Sequence, residues 1–165
     1  MQHPVPRHLK AATVITVSDR CAAGAAVDRS GPLAAEQLAD AGWHADQLLV
    51  RDEVADIAGA IRAAVDAGSR LVVTTGGTGI AARDVTPEAT GPLLDRELPG
   101  IADAVRAVGV AQLPQAMLSR GLAGTLGSSL IVNLAGSTGA VRDGLPVILT
   151  IAEHVVSQLD GGDHT

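Results

Sequence analysis

Residues 70–88 read RLVVTTGGTGIAARDVTPE, the stretch of the chain that is most informative about its fold class. Residues 70–75 are apolar and β-branched without polar alternation, which is typical of a parallel strand covered on both faces. Thr86, Pro87 and Glu88 follow in the order of helix cap, first-turn proline and first-turn acid. The stretch therefore predicts a strand, a loop and a helix of an α/β protein, with Thr86 as the helix cap.

The loop between that strand and that helix has the composition of an anion site. Gly76, Gly77 and Gly79 leave backbone N–H groups free of side-chain obstruction, and Thr75 and Thr78 add hydroxyls. Open α/β sheets bind ligands at the carboxyl ends of their strands. We therefore expect this loop to hold phosphate.

The rest of the chain repeats an alternation of strand and helix patterns. Strands are predicted at residues 11–17, 46–50, 70–75 and 129–134, and helices at 32–41, 54–67, 99–108 and 146–158, the first of them capped by Ser30. This order predicts an α/β fold with three layers: a doubly wound, mostly parallel sheet with helices on both faces. Residues 112–127 are interrupted by glycines and predict a short hairpin that leaves the main sheet.

The length of 165 residues suits one domain. We predict a single domain at residues 11–160, a flexible polar leader at 1–10 and a flexible tail at 161–165. Neither a membrane span nor a signal peptide is recognisable, so no membrane partner is expected. Cys21 is the sole cysteine, which excludes internal disulfides and fits a reducing, cytoplasmic location.

Composition also excludes several functions. The chain has no Phe or Tyr, and Trp43 is its single aromatic residue, so stacked nucleic-acid bases would find no platform. The net charge of −6 opposes nucleic-acid binding as well. Lys10 is the only lysine and lies in the leader, which excludes a P-loop or Schiff-base lysine in the core. Phosphate contacts must come from backbone amides, hydroxyls, arginines or a metal ion.

Two aspartates are the candidate catalytic residues. Asp52 follows the second strand and Asp84 follows the glycine loop, so both are expected near one edge of the sheet. Two carboxylates beside a phosphate loop repel an anionic substrate unless a cation lies between them, and Mg²⁺ prefers one or two carboxylates plus phosphate oxygens. The competing interpretation is structural, with Asp52 at a helix start and Asp84 in a turn.

Further candidates surround the same edge. Arg83 is predicted either to neutralise phosphate charge or to pair with Asp84 or Glu88. The segments after the first and last predicted strands each contain polar residues that could bind a ligand. The competing interpretation is that each segment is an ordinary turn. The predicted nucleotide- or pterin-binding set is Ser18, Asp19, Thr75, Gly76, Gly77, Thr78, Gly79, Arg83, Asn133, Gly136 and Ser137.

Five segments together resemble the MogA/MoaB family of molybdenum-cofactor biosynthesis proteins, which includes the G domain of gephyrin. The glycine stretch is the most specific. The others are residues 16–20 (TVSDR), 28–32 (DRSGP), 50–53 (VRDE) and 119–120 (SR) with 130–137 (LIVNLAGS), so the resemblance covers about residues 12 to 159. The chain departs from the family at Ala135, where a proline is usual.

The resemblance implies a molybdopterin adenylyltransferase with small-molecule substrates: Mg-ATP and molybdopterin react to give adenylyl-molybdopterin and pyrophosphate. It implies that Asp52 and Asp84 serve catalysis and hold Mg²⁺. It also implies a homotrimer or hexamer, and it allows a molybdenum-insertion protein as a partner.

Two alternatives come from other classes. One is a non-catalytic, MoaB-type protein that binds the pterin or an assembly partner in the same pathway. The other is a dinucleotide-dependent oxidoreductase, but the first strand is followed by Ser-Asp-Arg-Cys, at residues 18–21, and lacks the glycine fingerprint of such enzymes.

Overall fold

The computed structural model describes residues 10–162. Within these residues, six strands and six α-helices follow one another along the chain. They are β1 (Ala11–Val17), α1 (Asp19–Ala22), α2 (Ser30–Asp40), β2 (His44–Val50), α3 (Val54–Asp66), β3 (Leu71–Thr75), α4 (Thr86–Thr90), β4 (Arg96–Glu97), α5 (Pro99–Gln112), β5 (Ala123–Leu126), β6 (Ser129–Leu134) and α6 (Thr138–Leu159), with short 3₁₀ helices at Gly91–Leu93 and Pro114–Leu118.

The strands form one sheet in the order β2-β1-β3-β6-β5-β4. The strands β2, β1, β3 and β6 run parallel; β5 pairs antiparallel with β6, and β4 pairs antiparallel with β5. The chain leaves β1 towards β2 on one side and later returns to β3 on the other side of β1. The carboxyl ends of β1 and β3 therefore form a topological switch point, where α/β sheets bind ligands.

Both faces of the sheet are buried, because successive residues of its central strands enter different cores. In β3, Leu71 and Val73 pack into the core formed with α2, α5 and α6, while Val72 packs against α3 and α4. In β6, Val132 and Ile131 divide in the same way. The predicted three-layer, mostly parallel α/β architecture is confirmed.

The predicted strands and most helices are confirmed, with shifts of a few residues at their ends. The predicted leader and tail lie outside the described residues except for Lys10, Gly161 and Gly162. Lys10 pairs through its ammonium with Glu153 at 2.7 Å. Within residues 10–162, no helix combines the length and apolar composition needed to cross a membrane.

The hairpin prediction for residues 112–127 was wrong in its location. β5 pairs with β6 inside the main sheet, and β4 adds to its outer side. At Gly124 the carbonyl oxygen of Arg96 lies where a Cβ would stand, so the glycine that seemed to interrupt a strand permits close strand pairing.

The closing helix begins eight residues earlier than predicted, at Thr138 instead of Pro146. The hydroxyl of Ser137 accepts a hydrogen bond from the amide of Ala140 at 3.0 Å and caps the helix. Pro146 lies inside α6 and removes one backbone hydrogen bond. The helix continues because Leu145 and Ile148 are fully buried against the sheet.

Two predicted caps were also wrong. Ser30 is the first residue of α2, and its hydroxyl bonds that of Thr75 at 3.0 Å, while the carboxylate of Asp28 accepts from the amide of Gly31 at 3.0 Å. Thr86 is the first residue of α4, and its hydroxyl donates to the carbonyl of Gly76 at 2.9 Å. Neither hydroxyl bonds a helix end: one bonds the last residue of β3 and the other the residue that follows it.

Asn133 connects three parts of the fold through one buried amide. Its Nδ2 donates to the hydroxyls of Thr74 at 2.9 Å and Thr90 at 3.2 Å, and its Oδ1 accepts from the amide of Leu122 at 3.1 Å. The residue is only 4% exposed. β6, β3, α4 and the entry to β5 are thereby fixed around one side chain.

Asn133→Ala removes these bonds and leaves the amide of Leu122 without its partner, so we expect the free energy of unfolding to fall by about 3 kcal/mol. Urea titration measures it. Gln47→Ala, at an exposed position of the edge strand β2, is the control and is expected within about 0.5 kcal/mol of wild type. Equal stability of both variants would contradict the role given to Asn133.

Candidate functional site

An open cleft of about 590 Å³ lies at the switch point. It is walled by the ends of β1 and β3 and by the start of α2. Asp52 and Asp84 both line it, so the structure brings the two predicted catalytic carboxylates to one cleft. The other lining residues include Thr16, Ser18, Asp19, Arg20, Asp28, Arg29, Ser30, Thr75, Gly77, Gly136 and Thr138.

A second cleft of about 340 Å³ lies on the other side of the glycine loop. It is lined by residues 76–79 and by the segment around the second 3₁₀ helix, with Gln115, Leu118 and Ser119. Gly77, Asp84 and Gly136 line both clefts. The glycine loop therefore stands between two adjoining compartments.

The loop needs its glycines for two separate reasons. Gly76 and Gly77 have φ angles of +102° and +69°, a region that side chains disfavour. A Cβ on Gly76 would overlap the carbonyl oxygen of Val17, and a Cβ on Gly77 would overlap the hydroxyl of Thr86. The backbone of the loop is thus packed against its supports with no room for side chains.

Two residues hold the four carbonyls of residues 76–79. Thr86 donates to the first two, from its hydroxyl and its amide, at 2.9 and 3.0 Å. Arg120 donates to the last two, from its amide and its Nε, at 2.8 and 2.9 Å. Within the described chain the N–H groups of residues 77–80 donate to no protein acceptor. Four successive free donors on a glycine loop are suited to an anion.

Asp52 is held by a reciprocal contact with Asp19. Its Oδ2 accepts from the amide of Asp19 at 2.8 Å, and its own amide donates to Oδ1 of Asp19 at 3.0 Å. Burial raises the pKa of the Asp52 carboxyl, and the negative charges of Asp19 and Asp84 raise it further against the lowering effect of the Asp19 amide. The cleft therefore holds a carboxylate that a cation would stabilise.

Asp84 is fixed by its own loop. Its Oδ2 accepts from the amide of Ala81 at 3.0 Å, and the same oxygen lies so close to Gly79 that a Cβ there would fall 2.8 Å from it. Within residues 10–162, neither Oδ1 of Asp52 nor Oδ1 of Asp84 accepts a hydrogen bond. Each carboxylate keeps one oxygen for another ligand.

Arg83 does not pair with Asp84 or Glu88, so that predicted alternative was wrong. Its guanidinium donates to both carboxylate oxygens of Asp19, at 2.9 and 3.1 Å, and to Glu53 at 3.0 Å. Arg83 thereby lowers the pKa of Asp19, and its own pKa is raised. The side chain links the glycine loop to the ends of β1 and β2.

Some of the remaining residues of the predicted binding set line a cleft with their side chains, and others are buried in the protein. Ser18 lines the first cleft, and its hydroxyl accepts from the amide of Cys21 at 3.1 Å. Thr75, Thr78 and Asn133 are almost completely buried, so their side chains hold the loop and the sheet together. Ser137 caps α6 and lines a neighbouring cavity beside α5.

Arg120 contacts the loop, although sequence patterns assigned it no role there. It lies 41 residues after Gly79, in the segment for which a hairpin away from the main sheet was predicted, so local sequence carries no signal for its contacts. Its presence in the motif of residues 119–120 was the available clue.

With this geometry in view, comparison with known proteins gives the family. The sequence family described as "Probable molybdopterin binding domain" matches residues 13–154. The chain belongs to this family. The dinucleotide-dependent alternative is therefore set aside.

Relatives and solved structures agree with this assignment to the molybdopterin-binding family. The "Molybdopterin adenylyltransferase" of Pyrococcus furiosus is 40% identical over 87% of this chain and 87% of its own length. The "Molybdenum cofactor biosynthesis bifunctional protein" of Synechococcus elongatus is 45% identical over 93% of this chain, which spans 48% of that protein. A molybdopterin biosynthesis protein from Mycobacterium abscessus superposes with a TM-score of 0.87 at 48% identity, over 93% of this chain and 98% of the other.

The residues of this molybdopterin-binding domain fit a magnesium ion that binds together with phosphate. Among the described residues, no three His, Cys, Asp or Glu side chains are placed to hold a metal alone. Mg²⁺ keeps several waters and takes one or two carboxylates plus substrate phosphates. Asp52 and Asp84, each with a free oxygen in one cleft, meet that requirement.

The raised pKa of Asp52 predicts how charge removal affects stability. Ionisation of Asp52 opposes folding, and this cost is present above the raised pKa and disappears as the pH falls below the ordinary value of about 4. Asn at this position keeps an oxygen that accepts from the amide of Asp19. We therefore expect Asp52→Asn to melt at or above the wild-type temperature at pH 8.

Thermal melts at pH 8 and pH 4 measure this effect, and the advantage of Asp52→Asn should shrink at the lower pH. Asp66→Asn, at the exposed end of α3, is the control that removes one charge far from the cleft. A melting temperature of Asp52→Asn below wild type at pH 8 would count against the electrostatic account.

Proposed function

We propose that the protein transfers the adenylyl group of Mg-ATP to molybdopterin, with release of pyrophosphate, in molybdenum-cofactor biosynthesis. The observation that carries the proposal is that Asp52 and Asp84 line one cleft at the switch point together with Gly77, the first of four successive residues whose amides are free. The names of relatives that match most of the chain support it.

In this reaction, an oxygen of the terminal phosphate of molybdopterin forms a bond to the α-phosphorus of ATP. The bond from that phosphorus to the oxygen bridging to the β-phosphate breaks, and pyrophosphate leaves with the electron pair. The attacking phosphate is already ionised at neutral pH, so the protein needs no general base. The work left to the protein is positioning and charge stabilisation.

The loop amides are suited to the charge that develops on the α-phosphate. Because their carbonyls are fixed by Thr86 and Arg120, the donors are oriented before the substrate arrives. Preorganised donors of this kind stabilise transition states at no cost in reorganisation. Gly77, shared by both compartments, places the loop at the junction.

Asp52 and Asp84 would hold Mg²⁺ against the phosphates. The ion would neutralise the triphosphate and so reduce its repulsion from the two carboxylates. Arg83 lies 58% exposed beside this cluster and supplies a further positive charge at its rim. These assignments account for an anionic substrate in a protein of net charge −6.

The two compartments explain how two substrates fit. We propose that one receives the nucleotide and the other the pterin, with their phosphates meeting at the glycine loop. Gly136, at the boundary of both, has no room for a side chain, since a Cβ would lie 3.0 Å from Cα of Gly76.

Asp52→Asn and Asp84→Asn are each expected to lower AMP transfer to molybdopterin by about a hundredfold or more, equivalent to about 3 kcal/mol of transition-state stabilisation. Both variants should stay folded, since Asn retains the hydrogen bonds to the amides of Asp19 and Ala81. The assay follows adenylyl-molybdopterin formation with Mg-ATP.

Asp66→Asn is the matched control and should transfer at the wild-type rate. Full activity of both Asp52→Asn and Asp84→Asn would defeat the catalytic assignment. A wild-type protein that binds molybdopterin but forms no adenylyl product would favour the non-catalytic, MoaB-type alternative.

We also propose that the protein assembles as a homotrimer, or as a hexamer of two trimers. Helix α5 carries many apolar residues, yet Ala102 alone among them is fully buried. A groove of about 510 Å³ runs between α5 and α6, with Ile101, Val147 and Ile151 among its walls. A second copy that covers this groove would bury the apolar side of α5. A molybdenum-insertion protein is proposed as the recipient of the product.

Ile151→Glu places a charge in this groove and is expected to produce monomers, because burial of an unpaired carboxylate in an interface is unfavourable. Size-exclusion chromatography with light scattering measures the mass of both proteins. Asp66→Asn should keep the wild-type mass. A wild-type protein that is monomeric at all concentrations would refute the assembly.

A further inference from the structure

Arg120 makes three hydrogen bonds to carbonyl groups of the glycine loop and of the residues that follow it. Its backbone amide and its Nε hold the carbonyls of Thr78 and Gly79, and its Nη2 donates to the carbonyl of Asp84 at 2.9 Å. We propose that Arg120 is a positioning residue, which orients the free amides of Gly79 and Ile80 and fixes Asp84 relative to them.

Peptide geometry connects these contacts to the amides. In a planar trans peptide, the carbonyl of one residue and the N–H of the next point in opposite directions. Because Arg120 draws the carbonyls of Thr78 and Gly79 to itself, the N–H groups of Gly79 and Ile80 must face away from it. Thr86 does the same for the two preceding peptides. Arg120 therefore orients two of the four free amides: that of Gly79 through its backbone amide, and that of Ile80 through its side chain.

The hydrogen bond from Nη2 of Arg120 connects the loop to Asp84, one of the two proposed catalytic aspartates. Asp84 ends the same loop, and its carbonyl is the acceptor of Nη2. One guanidinium thus spans the loop from Gly79 to Asp84 and sets the separation between the amides and the carboxylate. Glycine-rich backbone has little stiffness of its own, so this separation depends on an external support.

Arg120 is itself anchored on two sides. Its Nη1 pairs with the carboxylate of Glu88 on α4, which lowers the pKa of that carboxyl. From the other side, Arg106 on α5 donates to the carbonyls of Ser119 and Gly121 at 2.8 and 3.3 Å, next to Arg120 in the chain. Contacts from two helices, α4 to the guanidinium and α5 to the neighbouring backbone, therefore fix the position of Arg120 beside the loop.

The proposed positioning role depends on the planar arrangement of the three guanidinium nitrogens more than on the positive charge. Three nitrogens reach three acceptors on different residues, Gly79, Asp84 and Glu88. A lysine ammonium is a point charge on a flexible stem and cannot reproduce this planar arrangement. A role in positioning predicts that lysine fails, whereas a role in charge alone predicts that lysine succeeds.

The first test needs no substrate. Amide ¹⁵N relaxation of residues 77–80 is measured in wild type, Arg120→Ala and Arg120→Lys. We expect order parameters near those of rigid backbone, about 0.85, for all four amides in wild type. In both variants the value for Ile80, whose peptide the Arg120 side chain holds, should fall below about 0.6, while Gly77 and Thr78, held by Thr86, stay rigid. Guanidinium ion added to Arg120→Ala should restore part of the rigidity, because it fills the vacated position.

Arg62→Ala is the control, since Arg62 is an exposed residue of α3 and its loss removes the same charge. It should leave the loop rigid and should not respond to guanidinium. Rigid loops in Arg120→Ala, or wild-type behaviour of Arg120→Lys, would overturn the inference. Unfolding of both Arg120 variants would overturn it too, because Arg120 would then stabilise the whole domain.

The second test rests on the proposed function and uses AMP transfer to molybdopterin. Arg120→Lys is expected to lose about a hundredfold in kcat/KM, mostly in kcat, as follows from misplaced donors. An inactive wild type with the expected loop mobility in the variants would refute the proposed function and leave the positioning role intact. Full activity of Arg120→Lys in an active enzyme would refute the positioning role alone.

Discussion

The site depends on one constraint, the direction of four successive peptide planes in the loop of residues 76–79. Their carbonyls are held by two residues, Thr86 from the following helix and Arg120 from a distant segment. Planarity then turns each following amide away from the residue that holds its carbonyl. A chain with a single lysine, placed before its first strand, thus offers a cluster of donors to phosphate without a basic side chain at the contact.

The acidic groups of the site are also held in place by hydrogen bonds to one another's backbone and to an arginine. Asp19 and Asp52 each accept from the other's amide, and Arg83 bridges Asp19 to Glu53. Burial and neighbouring negative charge keep the pKa of Asp52 raised, a state that opposes folding and favours a bound cation. In the proposed function, a bound Mg²⁺ would offset this repulsion, which in the free protein lowers stability.

Sequence patterns predicted the layers of this molybdopterin-binding domain because its central strands are buried on both faces and its helices have one apolar side. They failed where the decisive contact was tertiary. Gly124 resembled an interruption but allows close pairing with Arg96, and Pro146 resembled a helix start but lies within α6. Ser30 and Thr86 had the sequence context of caps, yet their hydroxyls bond Thr75 and Gly76.

Local sequence was enough to predict the α/β class, the family resemblance, the glycine loop and the two aspartates that share its cleft, since each depends on local composition or on the end of a strand. Only the folded chain shows how the loop carbonyls are held and that Arg83 pairs with Asp19 and Glu53. It also shows that Asn133 is a buried connector and that Arg120 supports the loop. These outcomes depend on hydrogen bonds between residues tens of positions apart, and no local pattern records the direction of such a bond.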